Sequence, residues 1–161
     1  MTTLAIVACG SKKIWKVRSQ AGPTPAKEAY IGTLFKLSRA YAEHFADSWI
    51  ILSAKYGFAE PGFLVPANYD TTFNKKSTNP VQLDTLRTQV RQMHLNRFDR
   101  AIVLGGARYV RMVEASFEAS STKVEAPLKG LGIGRMQSKL KQSVESGTAL
   151  GHFTSLAPEK T

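Results

Sequence analysis

Apolar and polar positions alternate between two rhythms along the chain. Four short apolar runs each stop abruptly in small residues and a cation. Residues 4–8 give way to Cys9-Gly10-Ser11-Lys12-Lys13, and residues 49–52 to Ser53-Ala54-Lys55-Tyr56-Gly57. Residues 101–104 end in Gly105-Gly106-Ala107-Arg108-Tyr109, and residues 122–126 lead through Pro127 into Gly130-Leu131-Gly132-Ile133-Gly134-Arg135. Runs of this kind suit strands buried on both faces, as in a parallel sheet.

Between the runs the apolar residues recur at three- and four-residue intervals, the spacing of one helix face. Tyr30, Leu34, Leu37, Tyr41 and Phe45 form one stripe. Leu83, Leu86, Val90 and Met93 form a second, with Arg87 and Arg91 off it. Asn79 is expected to cap that helix, with Pro80 at its first position and Gln82 completing a capping box. Val110, Val113 and Phe117 predict a third helix, and Met136, Leu140 and Val144 a fourth.

The order β-α-β-α-β-α-β-α predicts an α/β fold. It is a single three-layer domain over residues 1–150, with a mainly parallel sheet of about four strands and helices on both faces. Residues 151–161 are expected to form a frayed tail. The longest irregular stretch, residues 58–78, holds Phe63, Leu64, Val65, Tyr69 and Phe73, which predict an ordered flap rather than a linker.

Parallel strands would bring their carboxyl ends to one edge, where open α/β sheets bind ligands. The chain carries 22 Lys and Arg against 12 Asp and Glu, a formal net charge of +10 with a pI near 9.9. Such a balance points to phosphate-rich partners, a nucleotide or nucleic acid. The cations cluster where the sheet edge is expected: Lys12, Lys13, Lys16 and Arg18 early, Lys123, Lys129, Arg135, Lys139 and Lys141 late.

Candidate binding residues are Gly10, Ser11, Lys12, Lys13, Ser53, Gly105, Gly106, Arg108, Gly130, Gly132, Gly134 and Arg135. Glycines let backbone N–H groups approach an anion, hydroxyls donate to it, and Arg135 could clamp its oxygens in pairs. The Gly130–Arg135 loop lacks the dinucleotide fingerprint, and no P-loop is present. As plain turn chemistry that loop is equally well explained. Tyr56, Tyr69 and Tyr109 could stack on a base or complete the core.

Candidate catalytic groups are Asp70, Lys55 and Cys9. Asp70, in the long loop, could support an oxocarbenium-like centre, bind a sugar hydroxyl or act as base; it could also simply form a turn. Lys55, behind a buried strand, could bind an anion or have its pKa lowered by burial. Cys9 could be a nucleophile favoured by Lys12 and Lys13, or a small buried filler.

No cofactor and no metal is expected, because Cys9 has no cysteine partner and His44, His94 and His152 are scattered. A lone cysteine fits a reducing cytoplasm. No apolar stretch approaches a membrane span, and the apolar N-terminal run lacks a signal peptide's basic flank.

Several segments together carry a resemblance. They are Ala8-Cys9-Gly10-Ser11-Lys12-Lys13, Ala29-Tyr30-x-Gly32-x-x-Phe35, Ile51-Leu52-Ser53-Ala54-Lys55-Tyr56-Gly57, Tyr69-Asp70 and the Gly-Leu-Gly-Ile-Gly segment. Over about residues 4 to 140 the chain resembles a little-characterised bacterial and phage family of unknown function. That family is distantly similar to YaaA-like proteins and to domains accompanying tRNA-guanine transglycosylase relatives. The resemblance implies nucleic-acid or nucleobase chemistry and transfers no catalytic residue. The expected function is an enzyme acting on a nucleotide or nucleic-acid base, plausibly at the N-glycosidic bond. The alternative is a non-catalytic DNA- or RNA-binding protein held by charge alone.

Overall fold

The computed structural model describes residues 1–151; His152 and the rest of the expected tail lie outside the described residues. In chain order the elements are β1 (Thr3–Ala8), β2 (Thr24–Pro25), α1 (Ala26–Ala29), α2 (Thr33–Phe45), β3 (Ser48–Ser53), β4 (Gly57–Ala59) and β5 (Leu64–Val65). Then follow α3 (Leu83–Gln92), β6 (Arg100–Leu104), α4 (Ala107–Ser116), β7 (Lys123–Glu125) and α5 (Ile133–Ser146).

The main sheet has the order β4-β3-β1-β6-β7. β1 pairs in parallel with β3 and β6, and β6 with β7, so all four expected strands run the same way. A fifth, β4, returns antiparallel to β3 and forms one edge. β1 lies at the centre with every residue buried, which is why its sequence is apolar without alternation.

Its side chains nevertheless sort by face. Ala5, Val7 and Cys9 pack with Ile51, Ile102 and Leu104 against α2 and α5. Leu4 and Ile6 pack with Ile50, Leu52, Ala101 and Val103 against α3 and α4. Two cores on the two faces of one sheet make the three layers.

The first stripe is interrupted: Tyr30 ends α1, bridges to Lys13, and α2 starts only at Thr33 behind Gly32. Tyr30 is still 1% exposed, so the apolar spacing registered burial across two elements. The second helix starts at Leu83, with Gln82 at its N-cap, three residues later than the Asn79-Pro80 signal predicts. The cause is tertiary. Val81 donates its N–H to the Ala54 carbonyl at 2.7 Å, which holds this segment extended against the sheet end. Asn79 instead takes a left-handed conformation closing the 3-10 turn Lys76–Thr78.

Residues 58–78 are tied down, as the flap reading expects, partly by strands that the pattern missed. β5 pairs with β2, and Ala26 donates to the Phe63 carbonyl at 2.7 Å. Val65 and Tyr69 are buried, whereas Phe63 and Leu64 are exposed, contrary to expectation. Further along, the Thr78 hydroxyl accepts from the Thr72 N–H and donates to the Thr72 carbonyl, each at 3.0 Å. Gln89 on α3 braces the turn into β4, accepting from the Phe58 N–H at 2.8 Å and donating to the Tyr56 carbonyl at 3.0 Å. Among the described residues no helix is long and apolar enough to cross a membrane.

Candidate functional site

The carboxyl ends of β1, β3 and β6 stand side by side because the strands are parallel and in register: Ala8 opposes Leu52, and Val7 opposes Leu104. The chain leaves each end through a small residue. Gly10 turns out of β1 at φ +74°, a conformation that a side chain resists. Gly105 leaves β6 so close to β1 that a Cβ there would lie 2.7 Å from the Ala8 Cβ. Two different features occupy this rim.

The first is a closed polar cluster on the α2 side. The Tyr69 hydroxyl meets those of Tyr30 at 2.5 Å and Ser53 at 2.8 Å. Ser53 Oγ also accepts the backbone N–H groups of Lys55 and Tyr56, both at 3.1 Å. Lys13 is only 4% exposed. Its ammonium sits 4.2 Å above the Tyr69 ring and donates to the Ser11 carbonyl at 3.2 Å. Cys9 Sγ shares a hydrogen bond of 3.7 Å with the Tyr109 hydroxyl.

Burial governs the acid–base properties of this cluster. It pushes the Cys9 thiol up, outweighing the Tyr109 hydrogen bond and the Lys13 charge that pull the other way. It pulls Lys13 down, against the attraction of Cys9 and Asp70. It raises Tyr30 to about 12 and lifts Tyr69 and Tyr109 as well. The thiol is thereby held protonated, opposite to the activation that its lysine neighbours suggest.

The second feature is an open cavity of about 520 Å³ on the other side of the sheet, at the N-terminal ends of α3 and α4. Lys76, Arg108 and Arg111 line it together with Phe73, Gln82 and Met112, and among the described residues no acidic side chain does. Its size is that of a small-molecule site. Tyr109 joins the two features: its hydroxyl reaches Cys9, while its ring meets Phe73 edge-on at 5.6 Å.

The sequence-predicted residues divide between these places. Cys9, Lys13, Ser53, Tyr69 and Tyr109 come together in the closed cluster, and Arg108 faces the cavity. Ser53 is fully buried and spends its hydroxyl on backbone and Tyr69, so it is a turn brace, not an exposed phosphate donor. Tyr69, 8% exposed, is core, with Lys13 over its ring and the Tyr56 ring at 5.5 Å.

Lys55 is exposed rather than buried, its ammonium 5.4 Å from the Tyr69 ring. Gly10, Ser11, Lys12 and Asp70 are exposed at the rim, and Gly106 caps α4. Gly132 caps α5, Gly134 lies inside that helix, Gly130 takes φ +84°, and Arg135 is exposed. That loop lies on the α2 side of the sheet, away from the cavity lining.

Sequence reasoning passed over Tyr30, Lys76 and Arg111 as site residues. Arg111 had a signal, since it stands three residues after Arg108 and so on the same helix face. Lys76 had none, because its place follows from the 3-10 turn Lys76–Thr78, which Thr78 ties to Thr72 and Lys75.

The model of a family of unknown function, DUF6884, matches residues 4–142. The chain is 37% identical over 146 residues to the uncharacterized protein YfjM of Bacillus subtilis (strain 168), covering 90% of this chain and 97% of that protein. No solved structure matches significantly. The chain belongs to the DUF6884 family.

Proposed function

We propose that this member of DUF6884 binds a nucleotide, free or within a nucleic acid, in the cavity at the heads of α3 and α4, and acts on its base. The observation that carries the reading is a ligand-sized hollow with three cations and, among the described residues, no acid in its wall. Lys76, Arg108 and Arg111 hold the phosphate, with Arg supplying paired donors. Phe73 and Met112 offer apolar surface to the sugar or base. Asp70 is exposed on the flap that also carries Phe73, outside the cavity wall and close enough to Lys13 to attract its charge.

In this reading Asp70, three residues before the cavity-lining Phe73, is the flap carboxylate that must reach the sugar carbon and support it while its bond to the base breaks. The electron pair leaves with the base, which takes up a proton, and water adds to the carbon.

The test is titration of the purified chain with nucleoside monophosphates, together with assay for free base from nucleotides and strands. Saturable binding is expected, weakened about tenfold or more by Arg108→Gln or Arg111→Gln, as for the loss of a charged hydrogen bond. Base release should vanish in Asp70→Asn. Absence of saturable binding, or binding indifferent to both arginines, would overturn the reading. Binding without product in either protein would favour the non-catalytic alternative, which has one observation on its side: Cys9, the strongest nucleophile at the rim, is sealed and protonated.

A further inference from the structure

The cavity does not stand alone. α3 and α4 both begin at the carboxyl rim and pack side by side toward the opposite edge of the sheet. Where the two helices end, a second hollow of about 130 Å³ lies between them, lined by Arg87 and Arg91 with Asn96, Ser116 and Ser120. Among the described residues it too has no acidic side chain in its wall. Arg108 and Arg111 at one end and Arg87 and Arg91 at the other therefore mark a cationic path along one helix pair. Glu114, exposed on α4, adds a carboxylate to this face, and two more touch Arg87: Asp84 at 3.5 Å and Glu118 at 3.6 Å. Both are largely exposed, so these pairs are weak and open to exchange for phosphate.

From this path we infer that the occupant of the site is a single-stranded polynucleotide rather than a lone nucleotide. One nucleotide lodges in the larger cavity, and the phosphates next to it run along α3 and α4 to Arg87 and Arg91. The inference rests on the nucleotide reading above and goes further by fixing the substrate class. The ten residues of α4 span about 15 Å. At roughly 3.4 Å per phosphate in a stacked strand, that length covers about four phosphates. Helices in contact lie about 8–10 Å apart, a track for one backbone. A base already out of a stack enters a cavity directly, whereas a duplex must first be opened.

Affinity of the full chain for a nucleoside monophosphate, for a short single strand of about eight nucleotides and for the matching duplex tests this. The single strand should bind at least about tenfold more tightly than the monophosphate, with affinity falling as salt rises, by about 0.7 log units per contacted phosphate for each tenfold of salt. Arg91→Gln should lower the salt slope by about that step and narrow the gap between strand and monophosphate. If the strand binds no better than a monophosphate that itself binds, the path is not used and this inference alone falls. If the duplex binds more tightly than the strand, the occupant is wrong. If neither monophosphate nor strand binds, the nucleotide reading falls and takes this one with it.

Discussion

Two groups of polar side chains share the rim of one sheet and meet opposite fates. On the α2 side, Ser53, Tyr30, Tyr69 and Lys13 satisfy one another in the interior. On the α3–α4 side, Lys76, Arg108 and Arg111 line a hollow with no acid in its wall among the described residues. Buried polar groups must be paired because desolvation without a partner is costly. Exposed cations carry no such obligation and are free to take a ligand. The contrast separates a closed cluster that builds the rim from an open cavity, the one in which the proposed nucleotide would sit.

The most forceful way to break that division is Tyr69→Phe. It leaves the Ser53 and Tyr30 hydroxyls without their shared partner in the interior. A stability loss of about 1–3 kcal/mol is expected in urea unfolding, with nucleotide affinity kept. An affinity loss in a folded variant, comparable to that of Arg108→Gln, would merge the two regions into one site.

A second prediction sharpens the contrast through pH. Burial raises Tyr30 to about 12 from its ordinary value of 10.0, so between those pH values the native state keeps a proton that the unfolded chain has lost. Stability is therefore intact below pH 10 and falls as pH rises toward 12. Cys9, Tyr69 and Tyr109 share this sign. Lys13, lowered from 10.5, opposes it, since there the unfolded chain holds the extra proton. Tyr41 and Tyr56, also raised by burial, add to the first sign, so six groups against one predict a net fall, visible in melting temperatures taken from pH 9 upward and lessened in Tyr30→Phe. A flat profile would mean the cluster is open to water.

The smallest effect is expected at Lys55, which touches the cluster only from outside. Lys55→Gln should shift stability by no more than about 0.5 kcal/mol. A larger loss in the melting curve would draw the boundary of the closed region further out.

Much of the frame was legible because the apolar pattern reports burial directly. Residues 4–8, 49–52 and 101–104 are strands buried on both faces, and their uninterrupted apolar runs said so. The same signal failed where the chain is short or shared: β4, β5 and β2 hold two or three residues each, below any period. The Asn79-Pro80 capping signal was real local chemistry that a tertiary hydrogen bond from Val81 overrode. For the site, the sequence named the rim residues without saying which would pair among themselves. Ser53 and Tyr69 carry the same functional groups whether they bind phosphate or each other.

By itself the sequence determined the four parallel strands, the helices' apolar faces and the cations that follow the strands. Those follow from periodicity, from the burial of β1 on both sides, and from the residues that interrupt each run. Only the tertiary structure decided which rim groups are sealed and which are open. That choice depends on distances between residues as far apart as Cys9 and Tyr109, or Tyr30 and Tyr69, which no local pattern encodes. The physical reason is that desolvation acts on the assembled rim: the same hydroxyls and amines are core or ligand site according to what is folded over them.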